Sequence, residues 1–298
     1  MRILITGANG QFGCDLQRTF ASHELILMDL PTFDLTKSSC EEQVASARPD
    51  LVIHAAAYTD VDGAEHQPDL AMAVNAQGTE WVARGTTRAK ARLIYISTDY
   101  VFDGLKKTPY LESDLANPLN QYGKSKLEGE RRALDLCHDS LVVRTSWLYG
   151  AHGKNFVKTM MRLAIEQPEL RVVVDQRGCP TNAADLAQSL AKMLTLDIRG
   201  IVHATGTGDC TWYELASAIV SAMGRQNPVH PITTAEAGRR AARPSYSVLA
   251  NCVLKQSGIT LPPWQYSLIR FVGEHGHDSQ FKSSNAELDS IVTIDGAP

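Results

Sequence analysis

Apolar and polar positions divide the first 150 residues into short apolar runs and longer amphipathic segments. The runs do not alternate between apolar and polar residues, which is typical of parallel strands covered by helices on both faces. They predict strands at residues 2–6, 25–29, 51–54, 93–97 and 141–144. The segments between them predict helices at residues 11–21, 39–47, 68–88 and 121–136. This order favours an α/β fold built on a doubly wound parallel sheet.

The pattern is looser after about residue 150. It predicts helices at 155–165, 183–194 and 212–223, and short strands at 172–174 and 201–204. We therefore expect a first domain over residues 1–150, to which later segments return, and a smaller mixed α/β region over 151–274. Residues 238–244 are rich in arginine and predict a loop that brings charge to a site. Residues 275–298 are polar and aperiodic, and they predict a loose tail.

Composition narrows the class of protein without identifying it. The chain has 298 residues, a net charge of −4 and a pI near 6.1, which argues against general affinity for nucleic acid. Its six cysteines are scattered and form no metal-ligand pattern, as in proteins of a reducing compartment. Neither a signal peptide nor an apolar run long enough to cross a membrane stands out. We therefore expect a soluble cytoplasmic protein that does not associate with membranes.

Three glycines follow the first predicted strand and precede a helix. Gly7, Gly10 and Gly13 have the spacing Gly-x-x-Gly-x-x-Gly. Such glycines let the backbone approach a pyrophosphate, which the amides of the helix N-terminus can bind. The second predicted strand ends at Asp29, where a carboxylate can hold the ribose hydroxyls of a dinucleotide. The pattern predicts a Rossmann-type NAD(P) site, and the alternative is that the glycines serve packing alone.

The surroundings of Asp29 predict which dinucleotide is preferred. No arginine or lysine follows it closely, and its charge would repel the 2′-phosphate of NADPH. We therefore expect NADH to be preferred and NADPH to remain possible, although Asp29 could instead cap a turn. Asp34 and Leu35 are interpreted as residues that contact the adenine ring of the dinucleotide. The residues after the third strand are interpreted as the wall along the cofactor: Ala55, Ala56, Ala57, Tyr58 and Thr59.

Tyr122 and Lys126 are spaced i and i+4 on a predicted helix, so their side chains share one face. They follow Thr98, which comes directly after the fourth predicted strand, at the sheet edge where doubly wound proteins place their chemistry. Reduction of a ketone creates an alkoxide that needs a proton, and Tyr122 could supply it. We expect Lys126 and an oxidised nicotinamide to lower the pKa of Tyr122, and Thr98 to orient the carbonyl. The alternative is an ordinary amphipathic helix with exposed lysines.

Further short sequence motifs along the chain belong with the glycine turn and the Tyr122/Lys126 pair. They lie at residues 97–102, 118–124, 144–150, 155–156, 180–181 and 243–244. Together with the glycines and the Tyr-x-x-x-Lys pair, they resemble the extended short-chain dehydrogenases/reductases. More narrowly, the chain resembles the dTDP-4-dehydrorhamnose reductase family over roughly residues 1–272.

The resemblance implies an enzyme that uses NAD(P)H to reduce the 4-keto group of dTDP-4-dehydro-β-L-rhamnose to dTDP-β-L-rhamnose. It implies that Thr98, Tyr122 and Lys126 are catalytic and that residues 151–274 mainly bind substrate. It places the following along the cofactor: Gly10, Gln11, Phe12, Asp29, Asp34, Leu35, Ala57, Tyr58 and Thr59. Thr98, Asp99, Tyr100 and Trp147 would contact the sugar, although an aromatic residue after a strand can simply be core. Arg243 is our candidate for binding the diphosphate, because its planar guanidinium can donate two hydrogen bonds to phosphate oxygens at once. The alternative is an exposed arginine that only aids solubility.

Two other functions remain open from the sequence. The protein could reduce another nucleotide-linked 4-keto-sugar, or it could be a non-catalytic relative such as the regulatory subunit of methionine adenosyltransferase. The intact Thr98, Tyr122 and Lys126 set favours an enzyme, since a binding module does not need it.

Assembly is also predicted from the resemblance. Some members of the family dimerise around Mg²⁺ held by glutamates, and the matching positions here are Asp15 and Ala184, with Asp185 adjacent. Because Mg²⁺ tolerates misplaced ligands poorly, a Mg²⁺ requirement is doubtful. Asp185 could replace the missing ligand, but neighbouring helical positions point about 100° apart. We expect a monomer, or a dimer not bridged by Mg²⁺.

Overall fold

Strands and helices alternate through residues 1–276, the part of the chain that the computed structural model describes. The strands are β1 (Arg2–Thr6), β2 (Glu24–Met28), β3 (Leu51–His54), β4 (Arg92–Thr98), β5 (Ser140–Thr145), β6 (Leu148–Tyr149), β7 (Leu170–Val173), β8 (Arg177–Gly178), β9 (Thr181–Asn182), β10 (Gly200–His203), β11 (Cys210–Thr211) and β12 (Val229–Ile232). The helices are α1 (Gln11–Thr19), α2 (Ser39–Ala47), α3 (Val61–His66), α4 (Pro68–Met72), α5 (Gly78–Arg88), α6 (Gln121–Leu136), α7 (Phe156–Glu166), α8 (Ala183–Met193), α9 (Trp212–Ala222), α10 (Cys252–Gln256) and α11 (Trp264–His275). A π-helical turn at Ala73–Gln77 joins α4 to α5, and a 3-10 turn at Asp99–Val101 follows β4.

Six parallel strands form the central sheet, in the order β10-β5-β4-β3-β1-β2. The first five strands along the chain are those that the apolar runs predict, within one residue at each end. The predicted α/β fold with a doubly wound parallel sheet is therefore confirmed. The sixth strand, β10, comes from beyond residue 150 and pairs with β5, so later chain returns to the first domain.

Helices cover both faces of the sheet, which explains why its strands are apolar at nearly every position. On β1, Ile3 and Ile5 face a core that α1 and α8 share, where Leu16 and Leu190 are buried. The intervening Leu4 faces the opposite core, which α2, α5 and α6 cover. Successive residues of a strand point to opposite faces, so neither face can be polar without burying an unsatisfied group.

A smaller region packs beside the sheet and is built around α7, α9 and α11. Its core includes Met160, Leu215 and Phe271. Short pairs of strands join its segments, namely β6 with β9, β7 with β12 and β8 with β11. The division into residues 1–150 and 151–274 stays a prediction, since β10 and α8 from the second range belong to the sheet layers.

The structure corrects the sequence-based elements in the C-terminal part. The sequence pattern does not predict a helix at Trp264–His275, yet α11 buries Trp264, Leu268 and Phe271 at helical spacing. The predicted loose tail begins at residue 275, but His275 is the last residue of α11. The rest of that predicted tail, residues 277–298, lies outside the described residues.

The predicted helix at residues 68–88 is also divided, because the π-helical turn interrupts it. Within residues 1–276, no helix combines the length and apolarity that a membrane span requires.

Candidate active site

A cavity of about 1190 Å³ opens beyond the carboxyl ends of the central strands. It is lined by nearly all of the predicted site residues, namely Gly7, Gly10, Gln11, Phe12, Gly13, Asp29, Asp34, Leu35, Ala55, Ala56, Ala57, Thr59, Thr98, Asp99, Tyr100, Tyr122, Lys126, Trp147 and Arg243. Tyr58 is the exception, and its place along the cofactor stays a prediction. The backbone N–H and C=O of Tyr58 both bind the Asn75 side chain, and its phenol lies beside Gly63.

The glycine turn brings β1 and α1 into close contact with the loop after β3. Gly7 has a φ of +68°, and a Cβ there would lie 2.7 Å from the Ala56 nitrogen. A Cβ on Gly13 would collide with the Gly7 carbonyl oxygen. Gly10 caps α1 without a side-chain hydrogen bond to its first amides. The glycines therefore serve packing, and they also leave the N-terminus of α1 open to the cavity, a cradle that fits a dinucleotide pyrophosphate.

Asp29 lies at the cavity edge and holds the glycine turn. Its Oδ2 accepts a hydrogen bond from the Asn9 backbone N–H at 2.7 Å, and its Oδ1 accepts one from the Leu30 N–H at 2.8 Å. The capping interpretation of Asp29 and its place in the cofactor site are thus compatible. One carboxylate orders the turn and puts a negative charge where the cavity begins.

The first turn of α6 is pressed against the 3-10 turn that follows β4. Asn120 caps the helix by accepting a hydrogen bond from the Gly123 N–H at 2.8 Å, and its amide donates to the Ala242 carbonyl at 2.8 Å. A Cβ on Gly123 would collide with the Tyr100 carbonyl oxygen. This close approach sets Tyr122 edge-on to Tyr100, with ring centroids 5.9 Å apart.

Lys126 lies one turn further along α6 and is almost fully buried, with 2% of its surface exposed. Its Nζ donates to the Ile96 carbonyl at 2.7 Å and lies 4.1 Å from the centre of the Tyr95 ring. Burial lowers the pKa of Lys126 to about 7, and the negative charge of Glu130 acts in the opposite direction. The ammonium is therefore close to losing its proton at neutral pH.

The expected lowering of the Tyr122 pKa is not what the protein alone produces. Burial raises the pKa of Tyr122 well above its usual value, and a hydrogen bond with Thr98 opposes this only in part. The ammonium of Lys126 is directed to Ile96 and Tyr95, so desolvation of the phenol dominates. The prediction is wrong in direction for the protein alone, and the consequence is that Tyr122 stays protonated at neutral pH.

Thr98 and Asp99 complete the polar part of the cavity wall. The Thr98 hydroxyl accepts a hydrogen bond from the Tyr100 N–H at 3.1 Å and donates to the Asp99 carboxyl at 3.2 Å. Burial raises the pKa of Asp99 to about 7, against hydrogen bonds from Ser247 and Thr98 that lower it. Asp99 can therefore change its protonation near neutral pH.

Trp147 stands in an aromatic stack at the far side of the cavity. Its ring lies parallel to that of Trp212, with centroids 3.5 Å apart, and Phe156 packs on Trp212 at 4.5 Å. The Trp147 backbone has a φ of +47°, and a Cβ on Gly178 would lie 2.5 Å from its indole. Trp147 is partly exposed to the cavity, so it is not simply core. Trp212 is not among the residues predicted from sequence, because nothing local distinguishes it from a core aromatic residue.

The loop at 238–244 brings two arginines to the cavity, as its composition predicts. The Arg243 side chain is only 11% exposed, so the alternative of a solubilising surface residue is wrong. Arg243 donates to both oxygens of Asp62, at 2.7 and 3.2 Å, and Arg239 donates to the same carboxylate at 3.1 Å. Burial would raise the pKa of Asp62, but Arg243, the Ala241 N–H and the charge of Arg239 lower it to about 2.

Asn75 joins the wall of the cavity to the helix that carries Tyr122. It lies in the π-helical turn, where its amide binds both backbone groups of Tyr58 and donates to the Ser125 hydroxyl at 2.9 Å. Ser125 in turn donates to the Tyr122 carbonyl at 2.8 Å. Asn75 is not predicted from sequence because periodicity does not reveal a π-helical turn, although such turns are frequent at functional sites.

Asp185, the alternative metal ligand, is engaged elsewhere. Its carboxylate pairs with Arg270 at 2.6 Å and accepts a hydrogen bond from Ser267 at 2.5 Å, both on α11. Asp15 lies on α1, with Arg18 at 3.8 Å. In the described part of the chain, no group of three or more His, Cys, Asp or Glu side chains is arranged to hold a metal ion.

The parallel sheet, the glycine turn and the Tyr122/Lys126 pair at the same cavity define an oxidoreductase of the short-chain dehydrogenase/reductase type. The family described as the RmlD substrate binding domain matches residues 1–276. A dTDP-4-dehydrorhamnose reductase of Sinorhizobium fredii is 40% identical over 286 residues, covering 91% of this chain and 97% of that protein. The spore coat polysaccharide biosynthesis protein SpsK of Bacillus subtilis is 39% identical over 276 residues, covering 92% of this chain and 97% of that protein.

Solved structures agree with these relatives. The dTDP-4-dehydrorhamnose reductase of Bacillus anthracis, solved in complex with NADP, is 42% identical and superposes with a TM-score of 0.89. The match covers 92% of this chain and 99% of that one. The chain belongs to the dTDP-4-dehydrorhamnose reductase family of NAD(P)H-dependent oxidoreductases.

Proposed function

We propose that this protein reduces the 4-keto group of dTDP-4-dehydro-β-L-rhamnose to dTDP-β-L-rhamnose with NAD(P)H, and that it does so in the cytoplasm. The observation that carries the proposal is the convergence of Tyr122, Lys126 and Thr98 on one cavity that also contains the glycine turn. The relatives named dTDP-4-dehydrorhamnose reductase support the choice of substrate. The six cysteines are all unpaired, which is typical of a reducing compartment.

The protein's own groups would act on the carbonyl oxygen of the sugar. The reduced nicotinamide, when bound, supplies a hydride to the keto carbon. Tyr122, kept protonated by burial, donates its proton to the oxygen as negative charge develops there. The Thr98 hydroxyl orients that oxygen, and the Lys126 ammonium stabilises the phenolate that Tyr122 leaves behind.

The cofactor would lie along the glycine turn and the small residues after β3. The open N-terminus of α1 would bind the pyrophosphate, and Asp29 would bind the adenosine ribose. We propose that NADH is preferred because the Asp29 charge opposes a 2′-phosphate. The Bacillus anthracis relative was solved with NADP, so this preference is a property to be measured on this chain.

The nucleotide-sugar would fill the rest of the cavity. Trp147, Asp99 and Tyr100 line this part of the cavity; Trp147 would offer a flat face to the deoxysugar, and Asp99 and Tyr100 would contact it. The diphosphate would bind at Arg239 and Arg243, which line the cavity and bring two positive charges to it.

A direct assay tests the proposal. Purified protein is incubated with NADH and dTDP-4-dehydro-β-L-rhamnose, NADH consumption is followed, and the product is identified by NMR. We expect turnover and formation of dTDP-β-L-rhamnose. Faster turnover of another nucleotide-linked 4-keto-sugar would favour that substrate instead. Absence of both NADH and NADPH consumption with every keto-sugar nucleotide would favour a non-catalytic regulatory relative.

A further inference from the structure

A buried ion pair lies beneath the cavity, one helical turn beyond Lys126. The side chains of Glu130 and Arg144 are 2% and 3% exposed. Arg144 donates through Nε at 2.9 Å and through Nη2 at 2.6 Å, one bond to each carboxylate oxygen of Glu130. The Ser97 hydroxyl donates to the same carboxylate at 2.5 Å. Buried charges are costly to desolvate, and apolar residues often fill such a place at no loss of stability. The proposed reaction steps do not use this pair.

Glu130 shares a helix face with the proposed catalytic residues. It lies four residues after Lys126 and eight after Tyr122 on α6, which places the three side chains in one row facing the sheet. The Lys126 ammonium and the Glu130 carboxylate are both directed to the carboxyl end of β4, where they bind Ile96 and Ser97. Tyr122 and Lys126 line the cavity, and the buried Glu130 carboxylate lies one turn further along the same row.

The partners of Glu130 lie on the two strands that lead into the cavity. Ser97 lies on β4, directly before Thr98. Arg144 lies on β5, three residues before Trp147 in the sequence. The bidentate geometry restricts how these strands can shift relative to α6. Glu130 is therefore held in a fixed position by three elements rather than by its own helix alone.

The carboxylate of Glu130 favours the charged form of Lys126. Burial lowers the pKa of Lys126, and the carboxylate of Glu130 is the group that raises it. The other titratable groups near Lys126 include Tyr95 on β4, His54 on β3 and the protonated Tyr122 on α6 itself. Burial lowers the pKa of His54 to about 3 and raises that of Tyr95, so both are neutral at pH 7. Arg144 on β5 is the cation paired with that carboxylate, and Glu130 is the charged group that acts on the pKa of Lys126.

We propose that Glu130, fixed by Arg144 and Ser97, is a positioning residue that keeps Lys126 in its charged form at the cavity. This inference rests on the proposed role of Lys126 in stabilising the Tyr122 phenolate. Without the carboxylate, the ammonium would be desolvated with no opposite charge near it, and Arg144 would add an unpaired positive charge. Lys126 would then lose its proton at a lower pH.

The test is the pH dependence of kcat for Glu130→Gln. Lys126 is charged below its pKa, so wild-type activity should fall as pH rises through that pKa. In Glu130→Gln this fall should move to lower pH by about one unit, the shift typical of removing one close opposite charge. At acid pH, where Lys126 is protonated in both proteins, the two rates should converge. A purely structural role would lower kcat at every pH and leave the position of the fall unchanged.

Glu128→Gln is the matched control. It removes one negative charge from the same helix, but Glu128 is 31% exposed and pairs with Arg132. Solvent screens such a charge, so the pH profile should stay in its wild-type position.

A second variant keeps the proposal testable if Glu130→Gln fails to fold. Glu130→Leu combined with Arg144→Met removes both buried charges, which proteins commonly tolerate. It still lacks the carboxylate, so the fall in activity should again move to lower pH. A folded double variant with the wild-type pH profile would overturn the proposal.

Lys126→Met separates this inference from the proposed function. If Lys126→Met retains wild-type activity, the proposed catalytic role of Lys126 is wrong. If Lys126→Met is inactive while the Glu130 variants keep the wild-type pH profile, only the positioning role of Glu130 is wrong.

Discussion

At the scale of the residue, burial determines the chemistry of the site more than pairwise charge does. Desolvation raises the pKa of Tyr122, raises that of Asp99 to about 7 and lowers that of Lys126 to about 7. A reductase needs a tyrosine that holds its proton until negative charge develops on the substrate oxygen. Burial supplies that property, and a nearby cation matters chiefly after the proton has left.

The first residue-scale prediction concerns Tyr122→Phe. The substitution deletes the proposed proton donor and leaves the cavity wall in place, so kcat should fall by about 10²–10⁴-fold. NADH binding, measured by fluorescence titration, should stay close to wild type. Tyr266→Phe is the control, because Tyr266 is 62% exposed on α11, and it should retain activity. Near wild-type turnover by Tyr122→Phe would show that another group is the acid.

The second residue-scale prediction concerns Asp29 and the choice of cofactor. We expect kcat/KM to be higher with NADH than with NADPH. Asp29→Asn removes the negative charge but keeps an acceptor for the Asn9 N–H, so the NADH to NADPH ratio should fall roughly tenfold, or about 1.4 kcal/mol. Steady-state kinetics with both cofactors checks this. A wild-type preference for NADPH would contradict the role given to the Asp29 charge.

At the scale of the element, helix starts and short turns position the site. Asn120 begins α6 where Gly123 can approach the 3-10 turn, and this sets the place of Tyr122. The π-helical turn directs Asn75 at both the loop after β3 and α6. A shift of any of these elements would move the proposed proton donor relative to the cofactor wall.

The element-scale prediction concerns β8. In Gly178→Ala the new Cβ would lie 2.5 Å from the Trp147 indole, so the ring must leave its stack with Trp212. Overpacking of this kind costs about 1–3 kcal/mol. We expect a raised KM for the nucleotide-sugar, an unchanged affinity for NADH, and loss of the exciton signal of the tryptophan pair in circular dichroism.

Gly273→Ala is the control for that variant. Gly273 lies on α11, where a Cβ would have no heavy atom of residues 1–276 within 4 Å outside its own helix backbone and chain neighbours. The substitution should therefore leave KM and the circular dichroism signal unchanged. If Gly178→Ala kept both wild-type values, Trp147 would not be held by this contact.

At the scale of the whole molecule, the cavity is assembled from segments far apart in sequence. Asp62 in α3 holds Arg239 and Arg243, and Asn120 holds the Ala242 carbonyl. These contacts connect the loop at 238–244 to the first domain across more than 100 residues of chain. The two regions therefore share one cavity, and the smaller region contributes the proposed diphosphate ligands and the Trp212 side of the stack.

The whole-molecule prediction concerns Mg²⁺ and assembly. Asp185 is paired with Arg270 and Ser267, so recruiting it to a metal would break a buried ion pair. We expect the sedimentation coefficient and the activity to be the same with and without EDTA. A dimer that dissociates when metal is removed would show that Asp15 and Asp185 serve a metal site after all.

The sequence by itself determined the structural features that depend on residues close together along the chain. Apolar runs predicted β1 to β5, because a strand buried on both faces must be apolar at successive positions. The sequence also predicted the glycine turn of Gly7, Gly10 and Gly13 and the shared helix face of Tyr122 and Lys126. Each of these features lies within a single turn or helix, so it depends only on nearby residues. Nearly all of the predicted residues line one cavity, because the carboxyl ends of parallel strands meet at one sheet edge.

The tertiary structure alone decided what depends on residues distant in sequence and on burial. The stack of Trp147 on Trp212, the pairing of Asp62 with the arginine loop and the Glu130–Arg144 pair each join different elements. No local pattern encodes these contacts, because side chains of opposite charge or matching shape have many possible partners until the fold selects one. The direction of the Tyr122 pKa shift in the protein alone was likewise not predicted from sequence, since desolvation depends on everything packed around the phenol.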